Sequence, residues 1–116
     1  MRRRILVTLT TLGAVAALSV VGLVQAASAA TINGTVGPGF TITVAKKSVK
    51  AGTHTFVIND KSDIHNWHIT GPGVNKATSV SGMGTSRFTV RLQKGKTYKI
   101  VCDPHASTMK TSIKAT

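Results

Sequence analysis

From Thr31 onward the chain is a succession of short β-rich runs broken by glycine and proline turns, and no stretch of it repeats with the period of a helix. The runs are Thr31–Val36, Phe40–Val44, His54–Asn59, His65–Thr70, Ser86–Leu92, Thr97–Cys102 and Lys110–Ala115. Between them lie Gly37-Pro38-Gly39, Ala51-Gly52, Gly71-Pro72-Gly73, Gly82-Met83-Gly84 and Lys94-Gly95. About seven short strands punctuated in this way predict an all-β fold, a Greek-key β-sandwich or barrel. The stretch from Gly71 to Gly84 carries the weakest strand signal. Alternate residues of a strand share a face. Phe88, Val90 and Leu92 therefore point to a core while Arg87, Thr89 and Arg91 point to water. Tyr98 and Ile100 share a face with Cys102, and Trp67 and Ile69 share one with His65. His68 has the opposite parity and is expected to face outward. Two separate runs thus each deliver a metal-capable side chain to the interior, at an end of the domain.

The first thirty residues follow a different pattern. Arg2, Arg3 and Arg4 precede an apolar run from Ile5 to Val24, which ends in Gln25-Ala26-Ala27-Ser28-Ala29-Ala30. A positive start, an apolar middle and a small-residue end make a secretory signal peptide over residues 1–30, with cleavage fitting after Ala29 or Ala30. The alternative is an uncleaved membrane anchor, since the apolar run approaches the ~20 residues that span a bilayer. Residues 31–116 then form one small domain, enough for one modest core. The expected location is outside the cytoplasm: secreted, in the cell envelope or in the periplasm.

Charge narrows the partners. Without the three leading arginines, twelve Lys and Arg face only Asp60, Asp63 and Asp103. An exported protein seldom meets nucleic acid, and these basic residues are scattered over strands and turns rather than gathered on one element. A protein partner with an acidic surface, or an anionic envelope surface, is the better match, the charge speeding encounter. Any membrane association is assigned to the leading segment alone.

Cys102 is the only cysteine, so no internal disulfide can form. A lone thiol in an oxidising compartment is a liability unless it is buried or bound. Its surroundings suggest the second: Cys102-Asp103-Pro104-His105-Ala106-Ser107-Thr108-Met109 places a thiol, an imidazole and a thioether in one short loop. Thiolate and thioether are soft ligands and imidazole is intermediate. Two histidines and a cysteine with a weak axial methionine make the blue-copper donor set. The loop supplies one of the two histidines. His65, on the apolar side of its run, is the best second, with His68 as its rival. His54 is expected to be a solvated or packing residue.

These residues resemble the cupredoxins, the blue-copper family of plastocyanin, pseudoazurin and azurin, and in particular bacterial plastocyanin-like domains. The resemblance rests on Cys102-x-x-His105 followed by Met109, and on His65-Asn66-Trp67-His68-Ile69-Thr70-Gly71-Pro72-Gly73-Val74. It covers Thr31 to Thr116. It implies one type 1 copper ion held by His65, Cys102, His105 and Met109, with the Asn66 side chain tying the two ligand segments together. It also implies a monomeric one-electron carrier that serves a redox partner protein and is not an enzyme; the four histidines present are too few for a multicopper oxidase. An extracytoplasmic copper carrier would use the same ligands, and a metal-free secreted sandwich would use none. A smooth docking rim around His105 is expected from Gly37, Pro38, Gly71, Pro72 and Pro104. The charge of Asp103 beside the thiolate needs an offset, for which Lys99 or a backbone donor is the expectation.

Overall fold

A computed structural model describes Gly13, Ala14 and residues 29–116. The expected signal segment, residues 1–30, therefore lies almost wholly outside the described residues.

Among the described residues, nine strands form two mixed sheets packed face to face. They are β1 (Thr31–Val36), β2 (Ile42–Val44), β3 (Ser48–Val49), β4 (Gly52–Asp60), β5 (His68–Gly71), β6 (Val74–Ala77), β7 (Gly84–Leu92), β8 (Thr97–Val101) and β9 (Lys110–Ala115). One sheet has the order β2-β1-β4-β7 and the other β3-β9-β8-β5-β6. Two pairings, β1 with β4 and β3 with β9, are parallel and the rest antiparallel. The alternation read from the sequence is the packing observed. Val90 and Leu92 are buried and Phe88 half-buried while Arg87, Thr89 and Arg91 are exposed. Ile32, Val36, Phe56, Ile58, Trp67, Ile69, Tyr98, Ile100 and Ile113 fill the space between the sheets. Trp67 lies at 5.6 Å from Phe56 and its indole N–H donates to the Thr43 carbonyl at 3.1 Å, which satisfies the polar end of a fully buried ring.

Two strands exceed the seven expected. β6 buries only Val74 of its four residues, so it has no alternation to read. It exists because Pro72-Gly73 makes a tight turn, with Gly73 at φ +71°, that pairs Gly71 with Val74. β3 is a two-residue edge strand. A further difference concerns His65, which lies before its strand rather than on it. The segment between β4 and β5 is buried at Ser62 and from His65 to Trp67 without being a strand, because side chains take over the backbone hydrogen bonding. Asp60 Oδ1 accepts the Ser62 N–H at 3.1 Å, Ser62 Oγ accepts the Ile64 N–H at 3.2 Å, and Thr78 Oγ1 accepts the Trp67 N–H at 2.8 Å. Each of these N–H groups thereby finds a partner outside a sheet ladder.

Candidate metal centre

β8 and β9 are adjacent and antiparallel, so the loop joining them turns back at one pole. Cys102 follows β8 directly, fully buried like Tyr98 and Ile100 before it. Its N–H donates to the Met109 carbonyl at 3.0 Å, closing the loop at its base. Inside the loop a 3-10 turn spans Asp103–His105, with Pro104 fixing φ at its start. The His105 carbonyl accepts the N–H groups of Thr108 (3.1 Å) and Met109 (2.8 Å). Those bonds set where the imidazole of His105 points. His65 arrives from the other side, on the side-chain-bonded segment before β5, and is fully buried.

Among the described residues, one group of three His, Cys, Asp or Glu side chains is placed to share a metal ion: His65, Cys102 and His105. The two histidine Nδ1 atoms are 3.1 Å apart, and Cys102 Sγ is 3.7 Å from that of His65 and 3.6 Å from that of His105. A triangle with these edges has a point in its plane about 2.0 Å from every corner, close to the ~2.0–2.3 Å at which a first-row metal binds imidazole nitrogen and thiolate sulfur. The donors therefore fit a metal ion, and a soft sulfur with two imidazoles in one plane is the set that suits copper. His65 Nε2 is buried with no hydrogen-bond partner, so the ring is not held from its far side by a polar contact. Phe40 braces it instead. Its ring meets that of His65 edge-on at 5.1 Å and that of His105 at 5.0 Å while itself remaining 65% exposed. Met109 is buried in the core cluster that includes Cys102.

Asn66 joins the two ligand segments. Its side-chain oxygen accepts the Asp103 N–H at 2.8 Å, and its amide donates to Asp103 Oδ2 at 2.7 Å and to the Thr78 carbonyl at 3.4 Å. Its own backbone N–H donates to Cys102 Sγ at 3.5 Å. Asp103 continues outward to His68, whose Nδ1 lies 2.8 Å from Oδ1. Burial alone would raise the Asp103 pKa, but hydrogen bonds from Asn66 and His68 and the His68 charge outweigh it and hold the carboxyl below the usual range. For His68 burial opposes the charge, yet the bonds to Asp103 and Asn75 and the Asp103 charge raise the pKa above that of a free imidazole. Asp60 is pushed up by burial, against hydrogen bonds from Ser62 and Thr78.

The structure brings His65, Cys102 and His105 together at this pole and buries Met109 in the cluster that holds Cys102; two other expectations for the pole are not met. Lys99 does not offset Asp103; it lines a groove on the outer face of the five-stranded sheet, and Asn66 and His68 take the role. Gly71 and Pro72 are not on the rim. Gly71 packs against the Tyr98 ring, where an added Cβ would come within 2.3 Å, and the Tyr98 hydroxyl bonds Pro72 and Gln93. Tyr98 is four strand residues from Cys102, ~13 Å, so both lie toward the opposite pole. Gly37 does sit beside the site, near Ser62 and His65. Sequence reading passed over Phe40, whose lone apolar side chain after a glycine gives no signal of function, and Thr78, the hydroxyl that replaces a strand partner for Trp67. His54 is buried, not solvated: Nδ1 accepts the Ala30 N–H at 2.9 Å and Nε2 donates to the Lys50 carbonyl at 2.6 Å.

A model of copper-binding proteins of the plastocyanin/azurin family matches residues 31–116. The chain is similar in structure to auracyanin A, a blue copper protein of the green thermophilic photosynthetic bacterium Chloroflexus aurantiacus, at 16% identity over 77% of this chain and 100% of that one, with a TM-score of 0.55. It is similar to reduced rusticyanin at 22% identity over 76% and 79%, TM-score 0.60. It is also similar to the dithionite-reduced auracyanin of Roseiflexus castenholzii at 21% identity over 78% and 98%, TM-score 0.52. No curated protein sequence matches the chain. At these identities the solved structures establish the fold alone.

Proposed function

The chain belongs to the plastocyanin/azurin family of copper-binding proteins, and from that premise we propose that it is an exported one-electron carrier whose copper would be held by His65, Cys102, His105 and Met109. The observation that carries this reading is the convergence of the two Nδ1 atoms and the Cys102 sulfur within 3.1–3.7 Å of one another. Copper bound there supplies a one-electron couple.

Everything else in the mechanism is done by the chain. The two sheets and the bonded loop hold the donors in one arrangement before any charge changes, so little needs to reorganise. His65 is sealed inside, whereas His105 is half-buried at the pole and gives the shortest way to solvent. Exposed Phe40 lies against it and supplies an apolar contact surface of the small kind that weak redox encounters use. Of the three acids, Asp60 is buried and Asp103 is bonded to Asn66 and His68, which leaves Asp63. Against that, Lys99 and Lys110 flank a groove of about 450 Å³ that reaches Ala106, next to His105. This balance favours a redox partner with an acidic face. Export is inferred from the Arg2-to-Ala30 segment.

The test is to add copper(II) to the purified protein and record visible and electron-paramagnetic spectra. An intense thiolate-to-copper band that Cys102→Ser removes is expected. A protein that stays colourless, or whose colour survives Cys102→Ser, overturns the ligand set. Slow electron self-exchange combined with ready transfer of the metal to a chelating acceptor would make the chain a copper carrier instead.

A further inference from the structure

We propose that His68 is a positioning residue of this centre: it is the cation that neutralises Asp103 and, through Asp103 and Asn66, fixes the N–H donor on the Cys102 sulfur. The proposal rests on the ligand reading of the preceding section and adds to it a residue from outside the ligand set.

The geometry is a chain of hydrogen bonds running from the surface to the thiolate. His68 begins β5 with its side chain 21% exposed on the outer face of the five-stranded sheet. Its Nδ1 faces the Asp103 carboxylate at 2.8 and 3.0 Å, and its Nε2 faces Asn75 Oδ1 at 2.6 Å. Both partners are acceptors, so each ring nitrogen must carry a proton for both contacts to be hydrogen bonds. The ring is then an imidazolium. Asp103 spends its remaining capacity on the Asn66 amide at 2.7 Å, and Asn66 returns its side-chain oxygen to the Asp103 N–H at 2.8 Å. That reciprocal pair fixes Asn66, whose backbone N–H reaches Cys102 Sγ at 3.5 Å. Groups behind a ligand orient it and set the electronics of the metal it binds.

Charge gives the sign. Asp103 is bonded in sequence to the thiolate ligand, and an unopposed carboxylate there stabilises the more positive, oxidised state of the centre. An imidazolium 2.8 Å from that carboxylate cancels most of its field at the centre, because the two opposite charges lie almost together. Lys99 cannot substitute, since it lies across from Thr70 and Ser112 in the outer groove.

Three copper-loaded proteins and one metal-free measurement test this. His68→Gln, which removes the cation and leaves the carboxylate, should lower the midpoint potential. His68→Lys, which keeps a cation, should stay near the unsubstituted protein. His68→Gln combined with Asp103→Asn, which leaves neither charge, should recover most of the fall. In metal-free protein, nitrogen NMR of the His68 ring at pH 7 should show both nitrogens protonated. A potential unmoved by His68→Gln, a fall that persists in the double variant, or a neutral ring at pH 7 would overturn the proposal. Ring protonation is read on the unsubstituted, metal-free chain, so it decides the question even where a variant folds poorly or copper fails to bind. A failed electron-carrier reading appears separately, as slow self-exchange with these charge effects intact.

Discussion

The two segments that meet at the metal pole are built in opposite ways. The His65 segment is part of the core. His65 and Trp67 are fully buried and Asn66 nearly so, and Asp60, Ser62, Thr78 and Cys102 accept its backbone N–H groups. The Cys102–Met109 loop is buried only at its two ends; Asp103, Pro104, Ala106, Ser107 and Thr108 are exposed and His105 is half-buried. The first segment can change only if the core changes. The second is closed by its own turn bonds and can be altered without touching the sheets. One imidazole is therefore a piece of scaffold and the other a piece of surface, although both offer Nδ1 to the same point.

The largest effect that follows is at Trp67. Trp67→Ala removes the biggest fully buried side chain of the fold, together with its bond to the Thr43 carbonyl. Truncations of this kind cost ~3–5 kcal/mol, and urea unfolding of metal-free protein should show a loss of that size. A loss near zero would mean that the His65 segment is not core after all. Next is Thr78→Val, which keeps the volume and strips the hydroxyl that accepts the Trp67 N–H at 2.8 Å. A buried N–H left unpaired costs ~1–3 kcal/mol. The same variant should also weaken copper retention, because His65 sits two residues before that N–H.

This contrast explains how much was legible beforehand. The Cys102-to-Met109 loop is local, and its donor types and spacing stand in the sequence. The face alternation of Phe88, Val90 and Leu92, and of Tyr98, Ile100 and Cys102, is equally local, and it carried the all-β sandwich. The His65 segment was harder. Its burial was legible from Trp67 and Ile69, but its backbone is held by side chains from Asp60, Ser62 and Thr78, which no period in the sequence betrays, so it looked like the start of a strand. β6 was missed because an edge strand with one buried residue has no alternation. The partner of Asp103 was missed because His68 reaches it across the β5–β8 pairing, a proximity that exists only once the register is set. Gly71 and Pro72 were put at the wrong pole for the same reason.

The bridge between the two segments has a smaller, pH-dependent share. The His68 pKa is raised above 6.5 in the fold, so its contribution is fully present below pH 6.5 and is lost as pH rises through the higher folded value. The Asp103 pKa is depressed below 3.8, so its contribution is present above 3.8 and is lost as pH falls through the lower value. The pair thus helps most between these limits. Asp103 is 48% exposed, and a pair so open to water is worth ~1 kcal/mol or less. Asp60, raised by burial, also favours the acid side, so the informative quantity is the stability difference between metal-free wild type and His68→Gln. That difference should be greatest near pH 5 and shrink toward pH 8. A difference that grows with pH would mean that the ring is not held as a cation.

The smallest effect on the fold is expected at the other histidine. His105→Ala removes a half-buried ring whose contacts include Phe40, His65 and the Cys102 sulfur and whose backbone bonds, to the Cys102 carbonyl and from Thr108 and Met109, do not depend on the side chain. The loop keeps its closure, and both sheets are untouched. Metal-free stability should change by less than ~1 kcal/mol, as for substitutions away from buried features, while the visible band on adding copper(II) should disappear or change character. The comparison breaks if His105→Ala unfolds the metal-free protein as readily as Trp67→Ala does. In that case the loop would be a structural brace for the pole, and the difference between a scaffold imidazole and a surface one would have no energetic content.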